Sequence, residues 1–198
     1  MTLIYAFLAF IVIAMPVVAN NYILNTFSDV FFYVVVCLGL NIVVGYAGLL
    51  DLGYAAFFAV GAYTTAILTS TLGMNFWLTI PFAILFSAIS GVIIGGPTLR
   101  LRSDYLAIVT LGFGEIVRIT ARNLKITGGS GGIYGIDRPP FFGIEMSGNI
   151  HYYYAFLVLA FLAIFISYRL QYSRLGRAWQ YVREDEDAAE AMGINRVR

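Results

Sequence analysis

Apolar residues run unbroken for roughly twenty positions at a time along this chain, separated by short polar breaks. The breaks are "NNYILNTFS", "GYAG", "STLGMN", "PTLRLRS" and the long "NLKITGGSGGIYGIDRPPFFGIEMSGN". At 1.5 Å rise per residue, such runs match the hydrocarbon thickness of a bilayer. They predict about six spans, over about 3–19, 28–46, 51–71, 76–96, 104–122 and 151–169. The runs are continuous rather than alternating, which excludes the dyad pattern of a β-barrel strand. The expected fold is therefore an all-α, polytopic helical membrane bundle. Leu3–Ala19 lacks a basic leading region, contains Pro16 and ends without a small-x-small cleavage site, so it reads as a retained span rather than a signal peptide.

Composition agrees with this pattern. Of the 198 residues, 60% are hydrophobic and only 12% charged, and the mean hydropathy is +0.83. Both values lie outside the soluble globular range. The lone Cys37 permits no intrachain disulfide, and the lone His151 leaves too few ligands or bases for a metal site or a nucleophile–histidine centre. No catalytic residue and no metal ligand is assigned, and nothing points to nucleic acid.

Net charge is only +1, but its distribution orients the chain. With both termini cytoplasmic, the inner segments hold Arg100, Arg102, Arg169, Arg174, Arg177, Arg183, Arg196 and Arg198. The outer side holds Arg118, Arg122, Lys125 and Arg138. The excess of basic residues inside satisfies the positive-inside rule. Residues 123–150 then form an external loop and 170–198 a cytoplasmic segment.

Small residues mark expected packing faces. Ala55, Ala59, Ala62 and Ala66 share one helical stripe, and Ser87, Gly91 and Gly95 form a small-xxx-small ladder. The glycine-rich "TGGSGGIYG" lacks a G-K-[ST] and precedes no helix, so it reads as a flexible outer loop rather than a phosphate cradle.

Two acids stand out. Before Arg100 the only charged residues are Asp29 and Asp51. Asp51 falls at the entrance of the third span, where it either caps the helix as an interfacial N-cap or lines a break between helices at an inner vestibule. Glu115 lies mid-run in "YLAIVTLGFGEIVRITARN", with Arg118 and Arg122 at i+3 and i+7. An intramembrane acid is a functional candidate by default, and a Glu–Arg pair at i, i+3 is its structural counterpart. Asp51, Glu115 and Arg118 are the candidate pathway or gate residues.

After the last span, "YRLQYSRLGRAWQYVREDEDAAEAMGINRVR" reads as one amphipathic helix ended by Gly193. Trp179, Val182, Ala189 and Met192 share a face, and the run Glu184–Asp187 opposes docking on anionic lipid. A groove on a protein partner suits it better.

Within that tail, "DAAEAMG" resembles the E-A-A-x-x-x-G loop of ABC-importer permeases, with Asp187 where Glu is usual. "NIVVGYAGLLDLGYAAFFAVGAYT", "LRLRSDYLAIVTLGFGEIVRI" and "GRAWQYVREDEDAAEAMGIN" closely resemble branched-chain amino-acid ABC-transporter permeases of the M type, the high-affinity importer family. That resemblance covers most of residues 30–198. It implies a multi-pass subunit of a bacterial or archaeal cytoplasmic (inner) membrane. It also implies cytoplasmic ABC ATPase subunits holding ATP-Mg, a second permease subunit and an external or periplasmic substrate-binding protein for leucine, isoleucine or valine. The chain itself would bind no cofactor and catalyse no reaction. The tail becomes a coupling helix, with Trp179, Asp187, Ala188, Ala189 and Gly193 at the ATPase contact. Family members continue into further spans, so the chain is expected to be truncated at its C-terminal side. Two alternatives remain open at this point: a same-family permease for urea or short amides, and an ion-coupled transporter or channel built on Glu115.

Overall fold

The computed structural model describes residues 12–17, 19–98, 103–136, 139–141, 144–145 and 148–194. Most of the expected first span, together with Arg100, Arg102, Arg138, Arg196 and Arg198, lies outside the described residues. The described chain is helical: α1 (Asn21–Asn41), α2 (Tyr54–Ser70), α3 (Phe76–Thr98), α4 (Ser103–Asn123), α5 (Asn149–Gln171), α6 (Arg174–Glu184) and α7 (Glu186–Ala191). A π-helical turn, Ile42–Tyr46, continues α1. The extended residues described are a two-residue antiparallel ladder pairing Pro140 with Glu145 and Phe141 with Ile144.

Among the described residues, three stretches are long and apolar enough to cross a bilayer: Asn21–Tyr46, Phe76–Gly96 and Asn149–Gln171. Tyr54–Ser70 is apolar but shorter. On α3, Leu78, Ile84, Leu85, Val92 and Ile93 are all exposed. A helix this apolar with so little of it buried requires lipid or a partner helix around it.

The sequence reading starts the second span at residue 28; helix α1 begins seven residues earlier, because the polar residues of "NNYILNTFS" are absorbed by the helix itself. Thr26 donates to the Tyr22 carbonyl at 3.0 Å and Ser28 to the Leu24 carbonyl at 2.8 Å. Hydroxyls bonded back to i−4 carbonyls leave no unsatisfied donor.

The described residues form two compact units. The first comprises residues 1–39 and 146–169. Its core is Leu24, Tyr153 and Leu157, against which Val12, Met15, Phe27 and Phe31 pack. The fully buried Tyr153 donates its hydroxyl to the Val12 carbonyl at 2.6 Å, and its ring meets Phe31 edge-on at 5.3 Å. A buried phenol requires such an acceptor, and the carbonyl just before the Met15–Val17 turn supplies it.

The second unit comprises residues 40–145 and 170–198. Helices α2, α3 and α4 pack together there, and α6 with α7 belongs to the same unit. Ser87 donates to the Phe57 carbonyl at 3.1 Å, tying α3 to α2, while Phe57 and Phe113 stack tilted at 5.6 Å between α2 and α4.

The expected small-residue faces are redistributed. Ala55 and Ala62 are exposed, whereas Ala56 and Ala66 are buried. The alanine stripe therefore does not form one packed seam. On the Ser87–Gly91–Gly95 ladder Ser87 bonds to a neighbouring helix, whereas a Cβ built on Gly91 or Gly95 would meet nothing within 4 Å. The reason is tertiary: α2 crosses α3 at Ser87, beside Gly61, and leaves the glycines at a cavity. The loop read as flexible folds into two 3-10 turns, Lys125–Thr127 and Gly129–Gly131. Thr127 anchors it by donating towards the Ala121 and Leu124 carbonyls.

The tail is also corrected. It is two helices, not one, because Asp185 adopts an extended conformation (φ −155°, ψ 109°) and restarts the helix as an N-cap. Its Oδ1 accepts from the Ala188 amide at 3.0 Å, satisfying a donor that a continuous helix would have bonded internally.

Candidate functional site

Residues 47–53 are the irregular link between the π-helical turn and α2. Asp51 lies in this link, with Gly53 rather than Asp51 at the N-cap position of α2. The Asp51 carboxylate accepts the Gly53 amide two residues on, at 2.8 Å, closing an Asx turn. The interfacial N-cap expected at Asp51 is thus displaced: the carboxylate holds the turn before the helix instead of a first-turn amide.

The same link is pinned to α4. Thr110 Oγ accepts from the Leu52 amide at 3.1 Å and donates to the Ala107 carbonyl at 3.1 Å. Beside it, Gly53 packs directly on the Thr110 carbonyl, leaving no room for a Cβ. Residues on α4 therefore feel any movement of the link.

A cavity of about 340 Å³ lies behind this turn. Asp51, Phe57, Gly91, Leu106, Thr110 and Trp179 are among its lining residues. Trp179 on α6 and Asp51 are brought to one space, although they lie far apart in sequence. Arg183, one turn further along α6, donates to the Gly45 carbonyl of the π-helical turn at 2.5 Å. Its side chain lies over Gly48, whose left-handed φ of +71° shapes the turn. Helix α6 is thus fixed both to the π-helical turn and to the link that follows it.

Helix α6 is itself held at its start. Ser173 caps it, accepting the Gly176 amide at 3.0 Å, and Arg177 donates to the Tyr172 carbonyl at 2.7 Å. In α7, Ala189 is only 4% exposed and Ala188 is exposed; just past the helix, Met192 is 84% exposed and Gly193 is exposed. The expected coupling residues divide accordingly: Trp179 faces a cavity, Ala189 faces inward, and Ala188 and Gly193 are presented outward. Asp187 is in α7 by its backbone, and its side chain lies outside the described residues.

Glu115 and Arg118 form the expected pair. Arg118 Nε donates to Glu115 Oε2 at 2.8 Å, and Nη2 bonds Oε1 in the second arm of a bidentate fork. Both side chains stand in a groove of about 860 Å³ between α2 and α4. Asp51 does not line that groove, so the three pathway candidates fall into two neighbouring spaces of the second unit.

Residues 22–198 match the model of a family described as branched-chain amino acid transport system / permease component. The chain belongs to that family. It is 42% identical to the high-affinity branched-chain amino acid transport system permease protein LivM of Salmonella typhimurium, over 95% of this chain and 50% of that protein. The protein of the same name from Escherichia coli is also 42% identical, over 92% of this chain and 49% of its own length. The chain thus spans about half the length of the curated relatives it matches. No solved structure matches it at a significant level. Family membership and the long apolar helices together make it an all-α, multi-pass membrane protein.

Sequence reasoning passes over three participants in the second unit of this family member. Thr110, Arg183 and Gly53 all act through contacts between segments distant in sequence. A glycine on each side of the acid in "GLLDLG" is the one local signal for the turn. Arg183 carries none, since it sits among several arginines of a polar tail.

Proposed function

We propose that this chain is a permease subunit of an ATP-driven importer and that the cargo is leucine, isoleucine or valine. The names of its relatives support the cargo reading. The observation that carries the mechanism is the attachment of α6 to the Ile42–Gly53 region through Arg183, with Trp179 lining the cavity beside that region. A short polar helix tied to a helix break is the arrangement a lever requires.

In this reading both termini and the α6–α7 segment face the cytoplasm, as the distribution of basic residues favours. Helix α7 enters a cleft of a separate ATPase subunit, which holds ATP and Mg²⁺, and this chain binds no cofactor. A second permease subunit completes the path and an external binding protein delivers the amino acid. Closure of the ATPase pair displaces α7; α6 carries the displacement to the link at 47–53, and Gly53 hands it to α4 at Thr110. Work is transmitted only if α7 binds the two ATPase conformations with different affinities.

The test is affinity purification of the tagged chain from its native membranes, with leucine uptake measured in the same cells. Recovery of an ATPase and a second permease, together with ATP-dependent uptake that competes with isoleucine and valine but not urea, is the expected result. Flux that persists without any ATPase would overturn the reading in favour of an ion-coupled transporter.

A further inference from the structure

On helix α4, Glu115, Arg118 and Arg122 share one face. Ile108, Leu111, Gly112, Glu115, Arg118 and Arg122 succeed one another at short helical steps, and all of them line the groove against α2. Across from them α2 offers Ala55, Ala56, Ala59 and Tyr63. One wall is therefore charged and the other is mostly short-chained. Glu115 and Arg118 are each about half exposed into this space, at 53%.

A bidentate ion pair needs a reason to face an open groove rather than a packed seam. A free α-amino acid supplies one. It carries a carboxylate and an ammonium on the same carbon, the mirror of the Glu115–Arg118 set. When it enters, the Arg118 fork transfers to the incoming carboxylate while Glu115 accepts the ammonium. Ionic hydrogen bonds are exchanged, and neither Glu115 nor Arg118 is left without a partner. A solute with the carboxylate alone strands Glu115, and one with the amine alone strands Arg118. The groove volume of about 860 Å³ lies within the range of small-molecule sites. The floor of Ala55, Ala59 and Gly112 leaves space for a branched apolar side chain.

We propose that Glu115 and Arg118 form a zwitterion subsite, a way station for the amino-acid backbone in the groove between α2 and α4. The proposal rests on the importer reading for its cargo but not for its geometry.

The test uses Ala59→Cys in a Cys37→Ser background, assembled with its companion subunits in native membranes without ATP. The rate of modification by a charged methanethiosulfonate is read with leucine, isoamylamine or isovalerate present at up to about 50 mM, enough to occupy a weak site. Leucine is expected to slow modification by about fivefold or more, and the two half-zwitterions by less than about twofold, reflecting occupancy. Adding Glu115→Gln and Arg118→Gln together should leave the introduced thiol as reactive as before but abolish the protection. A cysteine introduced in place of Ala62, which lines a different groove, should be unprotected. Failure of leucine to protect, equal protection by all three solutes, or protection that survives the double neutralisation would overturn the subsite. Leucine uptake by the same membranes separates the two readings. Uptake without protection sinks the subsite alone, and protection without ATP-dependent uptake sinks the importer reading alone.

Discussion

The Thr110 carbonyl lies so close to Gly53 that a Cβ on Gly53 would stand 2.2 Å from it. No side chain can fit there, because the obstacle is backbone and cannot swing aside. This contact sets how near α2 approaches α4, and with it the shape of both spaces beside the link.

Gly53→Ala should therefore push the two helices apart. Overpacking of this kind costs about 1–3 kcal/mol, and a lower thermal midpoint in detergent is the expected readout. Gly112→Ala is the matched control: an added Cβ there meets nothing within 4 Å, so its midpoint should stay near that of the unaltered chain. Equal losses in the two variants would contradict the close approach.

Arg183→Gln should detach α6 from the Gly45 carbonyl while leaving membrane insertion intact. Leucine uptake is expected to fall by about tenfold, a coupling loss of about 1.4 kcal/mol, with the ATPase still recovered on purification. Unchanged uptake would remove Arg183 from the lever.

Ala188 and Ala189 separate docking from folding. Ala188 is exposed and Ala189 is 4% exposed. Ala188→Arg is expected to lose the ATPase in pull-downs with the helix content of the tail preserved. Ala189→Arg should disturb the α6–α7 packing itself, seen as faster proteolysis of the tail. An Ala188→Arg chain that retains the ATPase in full would displace the contact from this face.

Asp185→Ala removes the cap that restarts the helix at α7. Loss of such a cap costs about 1 kcal/mol. Faster amide exchange confined to residues 186–191 is the expected signature, and exchange spread over α6 as well would mean that the two helices melt as one.

Glu115→Gln leaves Arg118 without its carboxylate, and Arg118→Gln leaves Glu115 without its fork. Each single change should reduce the yield of properly inserted chain more than the double change does, since the double variant leaves neither member of the pair without its partner. A double variant no better than either single would show that the pair is not coupled. This measurement reads stability and is independent of whether the groove holds an amino acid.

The helices of this protein, and its membrane environment, follow from linear pattern. Long apolar runs can satisfy their backbone groups only as helices when lipid surrounds them, and that constraint acts locally. The Glu115–Arg118 pair was legible for the same reason: an i, i+3 spacing brings side chains together on any helix. Local rules also explain the family motifs in "GLLDLGY" and "DAAEAMG", which are contiguous strings.

Tertiary structure decided what meets what. That Ala56 is buried and Ala55 exposed depends on where α4 crosses α2, and a stripe of small residues on one helix carries no record of its neighbour. The break at Asp185 turned on a competition between a continuous helix and a side-chain cap. For Trp179 and Asp51 to line one cavity, and for Arg183 to reach Gly45, α6 had to fold back on the π-helical turn and the link after it. Segments so distant in sequence are joined by packing alone, and their meeting leaves no periodicity for the sequence to display.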